Sequence, residues 1–225
     1  MDVQAIYEEK YSNFASLPYY SSEAEFYGQQ FESFLNFTGE KDLNQKTLID
    51  LGCGFGMKSH IMKKYFGRVK GVDFASNIIA VNNLLSNDPL LTFEVIDLSI
   101  PTISTEKFDF IVANGLSLFN SADLMACKSD LHRLIKSFGK SHGVFVIWSF
   151  TDFSSTAPSG WYNHSMKELN QWMLKLSADF GFTCQIHFPY KRFDFRSKSI
   201  TKILLSIYRY FRKRQYYFIS IKYEL

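Results

Sequence analysis

Residues 48–59, LIDLGCGFGMKS, constrain this chain more than any other stretch. An apolar run carrying an acid, Leu48-Ile49-Asp50-Leu51, breaks into Gly52-Cys53-Gly54-Phe55-Gly56. Helix-forming residues continue from Met57 to Phe66. That order predicts strand, tight turn, helix. Glycines at such a turn let the backbone approach a ligand with no Cβ in the way. The first turn of the following helix offers unpaired N–H groups to the same ligand. The stretch predicts a nucleotide-type cofactor loop in an α/β domain.

Spacing narrows the cofactor. A dinucleotide fingerprint, G-x-G-x-x-G, needs Gly at 57, where this chain has Met. A phosphate-binding P-loop needs G-K-[ST] at a fixed offset, and none follows. The pattern present is D-x-G-x-G-x-G. It resembles the first motif of the class I S-adenosylmethionine-dependent methyltransferases, [VIL]-D-[LVI]-G-C-G-x-G. The bland alternative is a glycine-rich turn in some other α/β domain. The resemblance implies S-adenosylmethionine as cofactor and S-adenosylhomocysteine as product. It puts Asp50 near the sulfonium and amino group, with Gly52, Cys53 and Gly54 lining the cofactor.

Composition bounds the rest. At 225 residues, the chain holds one α/β domain with a lid or insertion. Hydrophobic residues make up 46%, enough for a full core, and 23 Phe with 13 Tyr suggest an aromatic-walled pocket besides. Cys53, Cys127 and Cys184 are widely spaced, with no CxxC or Cys/His pair, so neither a zinc site nor a disulfide framework is indicated. Reduced thiols suit a cytoplasmic protein. MDVQAIYEEKYS lacks the basic and apolar regions of a signal peptide, and no run of about eighteen apolar residues suggests a membrane span. Net charge is +3, but residues 191–214 hold nine Lys/Arg against Asp194 alone. The remainder has 16 of the 25 basic and 21 of the 22 acidic residues, so basicity is local.

Residues 1–46 read as a helical lid, with a helix at about 23–37 carrying Phe26, Tyr27, Gln30, Phe31, Phe34 and Leu35 at helical spacing, and Gly39 as a stop. The resemblance implies that such a segment closes over the cofactor. It makes Tyr11, Tyr19 and Tyr20 candidates for reaching its carboxylate.

Three further strand ends carry polar residues. RVKGVD, 68–73, ends in Asp73, placed to accept both ribose hydroxyls. A cap for the helix beginning at Ser76 is the alternative, one that Ser76 itself could supply. Phe74 is placed to pack on adenine. A strand at 91–96 ends in Asp97. The resemblance implies that Asp97 binds the adenine amino group, with the Leu98 backbone N–H on a ring nitrogen. FDFIVAN, 108–114, looks like the family's F-D-x-I-x-x-[NSH] stretch, which implies Asn114 and Gly115 beneath the sulfonium. Gly-Leu-Ser-Leu-Phe follows rather than [DNS]-P-P-[YF], which disfavours base amino groups in DNA as acceptors.

Asn120 and Ser121 can cap a helix with Leu124, Cys127, Leu131, Leu134, Ile135 and Phe138 on one face. His132 there, and His60 after the glycine loop, read as structural. GVFVIWSF, 143–150, suits a central strand buried on both faces. The loop 151–164 should face the acceptor. His164 is the candidate general base, because histidine titrates near neutral pH, and Asp152 is second. A surface position beside a helix cap is the alternative for His164. A capping box, Ser165 to Glu168, opens the next helix, which Gly181 ends. Strands at 182–189 and 216–223 flank the basic insertion, 191–214. That insertion is a packed amphipathic helix, a platform for an anionic acceptor or membrane surface, or an RNA contact.

The expectation is a single domain over 1–225: lid 1–46, cofactor-binding core 47–150, and acceptor-side half 151–225. The resemblance implies a Rossmann-like seven-stranded sheet, mostly parallel, with helices on both faces and the last strand antiparallel between the fifth and sixth. It covers 47–150 well and the flanks in outline. The expected activity is methyl transfer to a hydroxyl or amine of a small molecule such as a sugar, a glycan end or a phosphorylated metabolite. The alternatives are a tRNA methyltransferase and a non-catalytic cofactor-binding partner. No metal is called for.

Overall fold

Continuous apolar runs form the middle of the sheet. β1 (Thr47–Leu51) and β4 (Phe108–Asn114) lie side by side in parallel, with Leu48 opposite Phe110 and Leu51 opposite Ala113. Strands buried on both faces read as unbroken hydrophobic segments for this reason. The structure, a computed structural model, describes residues 20–152, 162, 164–189, 200 and 214–225.

Around that pair run α1 (Tyr20–Thr38), α2 (Met57–Lys63), β2 (Arg68–Asp73), α3 (Ser76–Leu85) and β3 (Leu91–Val95). After β4 come α4 (Leu124–Phe138), β5 (Gly139–Asp152), α5 (Met166–Phe180), β6 (Thr183–His187) and β7 (Arg214–Glu224). The sheet order is β3-β2-β1-β4-β5-β7-β6. The β1, β2, β3, β4 and β5 pairings are parallel, and β7 runs antiparallel to both β5 and β6. This is the expected seven-stranded arrangement, including the last strand between the fifth and sixth.

Side chains alternate across the sheet, so each face has its own core. Val144, Val146 and Trp148 of β5 pack with Phe31, Phe34, Ile61, Met62 and Phe218. Phe145 and Ile147 point to the other face, with Leu131, Leu134 and Ile135 of α4 and Leu169, Trp172 and Leu176 of α5. Trp148 is fully buried and stacks on Phe218 at 4.8 Å and on Phe31 at 5.8 Å. Truncating such a residue to Ala costs about 3–5 kcal/mol. Stacking on Phe31 fixes α1 against this face of the sheet.

Some boundaries differ from the sequence reading. Asp123, rather than Asn120 or Ser121, caps α4, accepting from Met125 and Ala126 backbone N–H groups. The short 3-10 turn Ser117–Phe119 lengthens the approach to the helix, and Asn120 instead accepts from the Tyr162 backbone at 2.8 Å. β5 begins at Gly139 rather than 143. Its polar start pairs late in β7, with His142 opposite Glu224, and an irregularity lies between Phe108 and Phe110 of β4. α2 stops at Lys63, three residues early. Ser165 and Glu168 form the expected capping box, and Gly181 ends α5 at φ 72°. Among the described residues, no helix is long and apolar enough to cross a membrane.

Candidate functional site

The order β3-β2-β1-β4-β5 reverses direction between β1 and β4. Crevices at the carboxyl ends of strands on either side of such a reversal are where open α/β sheets bind ligands. The glycine turn sits there. Gly52, Gly54 and Gly56 all have positive φ, 71°, 49° and 69°, which only glycine adopts without strain. A Cβ at Gly52 would lie 2.9 Å from Leu116, and one at Gly56 would lie 2.9 Å from the Phe93 ring. Two of the glycines are therefore required by the turn's own neighbours as well as its conformation.

Hydrogen bonds pin the turn to β2. Gly52 and Cys53 both donate from the backbone to the Val72 carbonyl, at 2.8 and 2.9 Å. Gly54 N–H donates to Asp73 Oδ2 at 2.9 Å, and Gly54 C=O accepts from Asn82 Nδ2 at 2.7 Å. Asp73 Oδ1 accepts from Ala75 N–H at 3.0 Å. Asp73 thus carries part of the helix-start role raised as its alternative, and it braces the loop as well. Each of its oxygens retains a second lone pair for a ligand. Phe74 follows, half-buried.

Asp50, at the end of β1, is buried. Its Oδ2 accepts from Ser59 Oγ at 2.6 Å, while Oδ1 has no partner. Burial pushes its carboxyl up to about 6, against the opposing pull of Ser59 and the Lys58 charge. A buried oxygen with nothing to accept from costs roughly 1–3 kcal/mol. Such an atom fits a ligand that brings a donor or positive charge. The Cys53 thiol is raised well above its ordinary value by burial, with Asp50 and Asp73 adding to the effect. It is a packing group and not a nucleophile.

Lys58, on α2, reaches across to β4. Its Nζ donates to Asn114 Oδ1 and lies 4.5 Å from the centre of the Tyr27 ring and 5.2 Å from that of Trp148. Asn114 and Trp148 are register partners on β4 and β5, and Gly115, at φ 57°, donates to the Trp148 carbonyl at 3.0 Å. Asp97 is exposed beyond β3 and accepts from the Ser99 backbone and hydroxyl at 2.8 and 2.6 Å, which hold its carboxyl low. Leu98 is buried, and its carbonyl accepts from Arg133 at 2.8 Å.

Asp50, Gly52, Cys53, Gly54, Asp73, Phe74 and Asn114 therefore lie at the carboxyl ends of β1, β2 and β4 or just after them, and Asp97 and Leu98 follow the end of β3. His164 belongs elsewhere. It is buried, on the Ile147 side of β5, against a small apolar cavity lined by Phe119, Leu124, Cys127, Leu169 and Trp172. Burial lowers its pKa, opposed by a hydrogen bond with the Phe119 backbone and by the Glu168 charge. It is not at the surface. His132 stacks on Phe180 at 4.5 Å, as a structural residue does. Tyr11 and Tyr19 lie outside the described residues, as do the side chains of Tyr20 and Asp152. The basic insertion is also outside them, apart from Ile200 and the Arg214 backbone.

Sequence reasoning missed Asn82, Ser59, Lys58 and Tyr27. Ser59 and Lys58 lie within the motif but carry no pattern of their own. Asn82 sits 28 residues from the carbonyl it holds.

Comparison with known proteins agrees with this fold. Residues 48–139 match the family model described as a methyltransferase domain. A Saccharomyces cerevisiae protein, named as a probable S-adenosylmethionine-dependent methyltransferase, is 25% identical over 149 residues, 61% of this chain. The match covers 50% of that relative, so the chain spans about half its length. A Mesorhizobium loti S-adenosylmethionine-dependent methyltransferase superposes with a TM-score of 0.57 at 14% identity, covering 83% of this chain and 94% of the other. A Streptomyces coelicolor geranyl diphosphate C-methyltransferase, solved with Mg2+, geranyl diphosphate and S-adenosylhomocysteine, superposes at 0.54 with 21% identity over 89% and 79%. At these identities the structural likeness is one of fold.

Proposed function

We propose, on the premise that residues 48–139 belong to the class I S-adenosylmethionine-dependent methyltransferase family, that this chain transfers a methyl group from S-adenosylmethionine to a small acceptor. S-adenosylhomocysteine is the product. One observation carries the cofactor assignment. The buried Asp50 Oδ1 has no partner, at the foot of the glycine turn.

The residues fit that cofactor. Asp73 accepts from the ribose hydroxyls while bracing Gly54. Phe74 packs on the adenine, and Asp97 with the Leu98 N–H reads its edge. Gly52, Cys53 and Gly54 line the cofactor, Asp50 serves its sulfonium and amino group, Asn114 borders the sulfonium, and Tyr20 is the lid residue proposed for its carboxylate. When bound, the cofactor supplies an electrophilic methyl group. The chain's contribution is to align the acceptor and exclude water, which can supply much of the acceleration. A hydroxyl acceptor would also benefit from a base. His164 is the candidate. Its lowered pKa leaves the imidazole neutral and able to accept a proton near pH 7.

The acceptor we favour is a hydroxyl- or amine-bearing small molecule such as a sugar, a glycan end or a phosphorylated metabolite, met in the cytoplasm. The diphosphate acceptor of one structural neighbour supports the phosphorylated end of that range. The nine basic residues of 191–214 favour an anionic partner, and tRNA is the second reading on that ground. That segment could also bring the chain to an anionic membrane surface. Calorimetry with S-adenosylmethionine and S-adenosylhomocysteine tests the cofactor, and turnover against an acceptor panel that includes tRNA tests the activity. No binding of either ligand overturns the proposal. Binding without turnover favours a non-catalytic partner protein.

A further inference from the structure

Four groups from four elements converge on the Lys58 ammonium. Tyr27 of α1 and Trp148 of β5 present rings 4.5 and 5.2 Å from Nζ, Asn114 of β4 accepts its hydrogen bond, and Asp50 of β1 feels its charge. Each favours a positive charge at this point: the ring faces through their quadrupoles, the amide oxygen as acceptor, the carboxylate by attraction. The walls are fixed, because Trp148 is clamped between Phe31 and Phe218 and Tyr27 packs edge-on against it at 5.8 Å. The lysine, on a flexible four-carbon stem, is the movable part.

We infer that this space is a seat for a monocation, and that Lys58 fills it in competition with the sulfonium of the methyl donor. The inference rests on the functional reading above. Two cations cannot share the seat, since like charges in a partly dry site repel. The methyl donor carries a sulfonium, and its product carries a neutral thioether. Lys58 therefore weakens the donor more than the product and sets how strongly product competes. A lysine that instead paired with the carboxylate common to both ligands would strengthen the two alike.

Calorimetry on the full chain separates these roles. Lys58→Met keeps an unbranched stem and helix propensity and removes the charge. Lys58→Gln is the second variant, and far-UV circular dichroism checks that each is folded. The expected result is a three- to thirtyfold rise, roughly the range of one cation–π contact, in affinity for S-adenosylmethionine relative to S-adenosylhomocysteine. Equal weakening of both ligands overturns the inference in favour of a carboxylate partner. Unchanged affinities overturn it in favour of a purely structural lysine. If neither ligand binds the unmodified chain, the functional reading falls first and takes this inference with it.

Discussion

Asp73 holds Gly54: the carboxylate Oδ2 accepts the glycine N–H at 2.9 Å, joining the end of β2 to the turn after β1. Asn82 holds the same glycine from the other side, through its carbonyl, at 2.7 Å. The pair makes the turn a clamped element rather than a free loop. It also means that Asp73 has two duties, one to the protein and one to the proposed ribose.

The two duties can be told apart. Asn82→Ala removes one brace of Gly54 and touches no proposed ligand atom, so it should cost about 1–3 kcal/mol of stability and a modest share of affinity. Asp73→Ala removes a brace and a ligand acceptor. Its loss of S-adenosylhomocysteine affinity should exceed that of Asn82→Ala by about tenfold or more, since hydrogen bonds to a charged group are worth about 1.5–3 kcal/mol. Thermal melts and calorimetry on both variants make the comparison. Equal losses of affinity would assign Asp73 to the brace alone.

Asp50 predicts a stability gain on neutralisation. Its folded carboxyl titrates at about 6, above the ordinary 3.8, because burial disfavours the charged form. A raised folded pKa means that the contribution to stability is fully present below pH 3.8 and is lost as pH rises through 6. Two units correspond to about 3 kcal/mol lost at neutral pH, as an upper figure. Asp50→Asn should therefore be more stable than the natural chain by about 1–3 kcal/mol at pH 7.5, with the difference shrinking toward pH 4. It should also bind S-adenosylmethionine more weakly. Urea midpoints at the two pH values decide, and a variant less stable at pH 7.5 would count against a buried charge held for function.

What the sequence disclosed follows from what is local in it. The turn at 52–56 needs glycine φ values that announce themselves; Asp73 and Asn114 each close a strand, where a polar residue ends an apolar run, and Asp97 lies two residues past the end of β3. Lys58 and Asn82 left no such mark. Their partners are 56 and 28 residues away, and nothing in a surface-like Lys or a helical Asn announces a long-range contact. The α4 cap went to Asp123 because three candidate caps stand close together, and the 3-10 turn before them decided which one met the first helical N–H groups. His164 was expected at an open loop and is instead buried, because the packing of α5 against α4, through Trp172 Nε1 to the Leu124 carbonyl at 3.1 Å, is a tertiary fact.

The two kinds of glycine should respond oppositely to a methyl group. Gly56 has φ 69°, and a Cβ there would meet the Phe93 ring at 2.9 Å and Asn82 at 3.2 Å. Gly56→Ala should destabilise by about 1–3 kcal/mol through strain alone, with the overlap adding to it. At Gly28, inside α1, a Cβ would meet nothing within 4 Å. Gly28→Ala should stabilise by about 0.5–1 kcal/mol, because alanine loses less backbone entropy on entering a helix. Melting temperatures of the two variants test the pair. An unharmed Gly56→Ala would show that the turn relaxes more than its contacts suggest.

His164 ties acceptor chemistry to a pH dependence of the opposite sign from that of Asp50. Burial lowers its folded pKa below the ordinary 6.5. The unfolded chain then binds the proton first as pH falls below about 6.5, so this residue's contribution to stability is lost toward acid. His164→Gln should flatten that loss, whereas Asp50→Asn removes the opposing trend. If the imidazole also takes the acceptor's proton, His164→Gln should lower kcat on a hydroxyl acceptor by about 10²–10⁴-fold and leave S-adenosylhomocysteine affinity unchanged. The acid limb of the natural chain's rate profile should disappear with it. A fall in kcat of less than about tenfold, with the pH profile intact, would leave His164 as a packing residue between α4 and α5 and point to an acceptor that needs no base, such as a neutral amine.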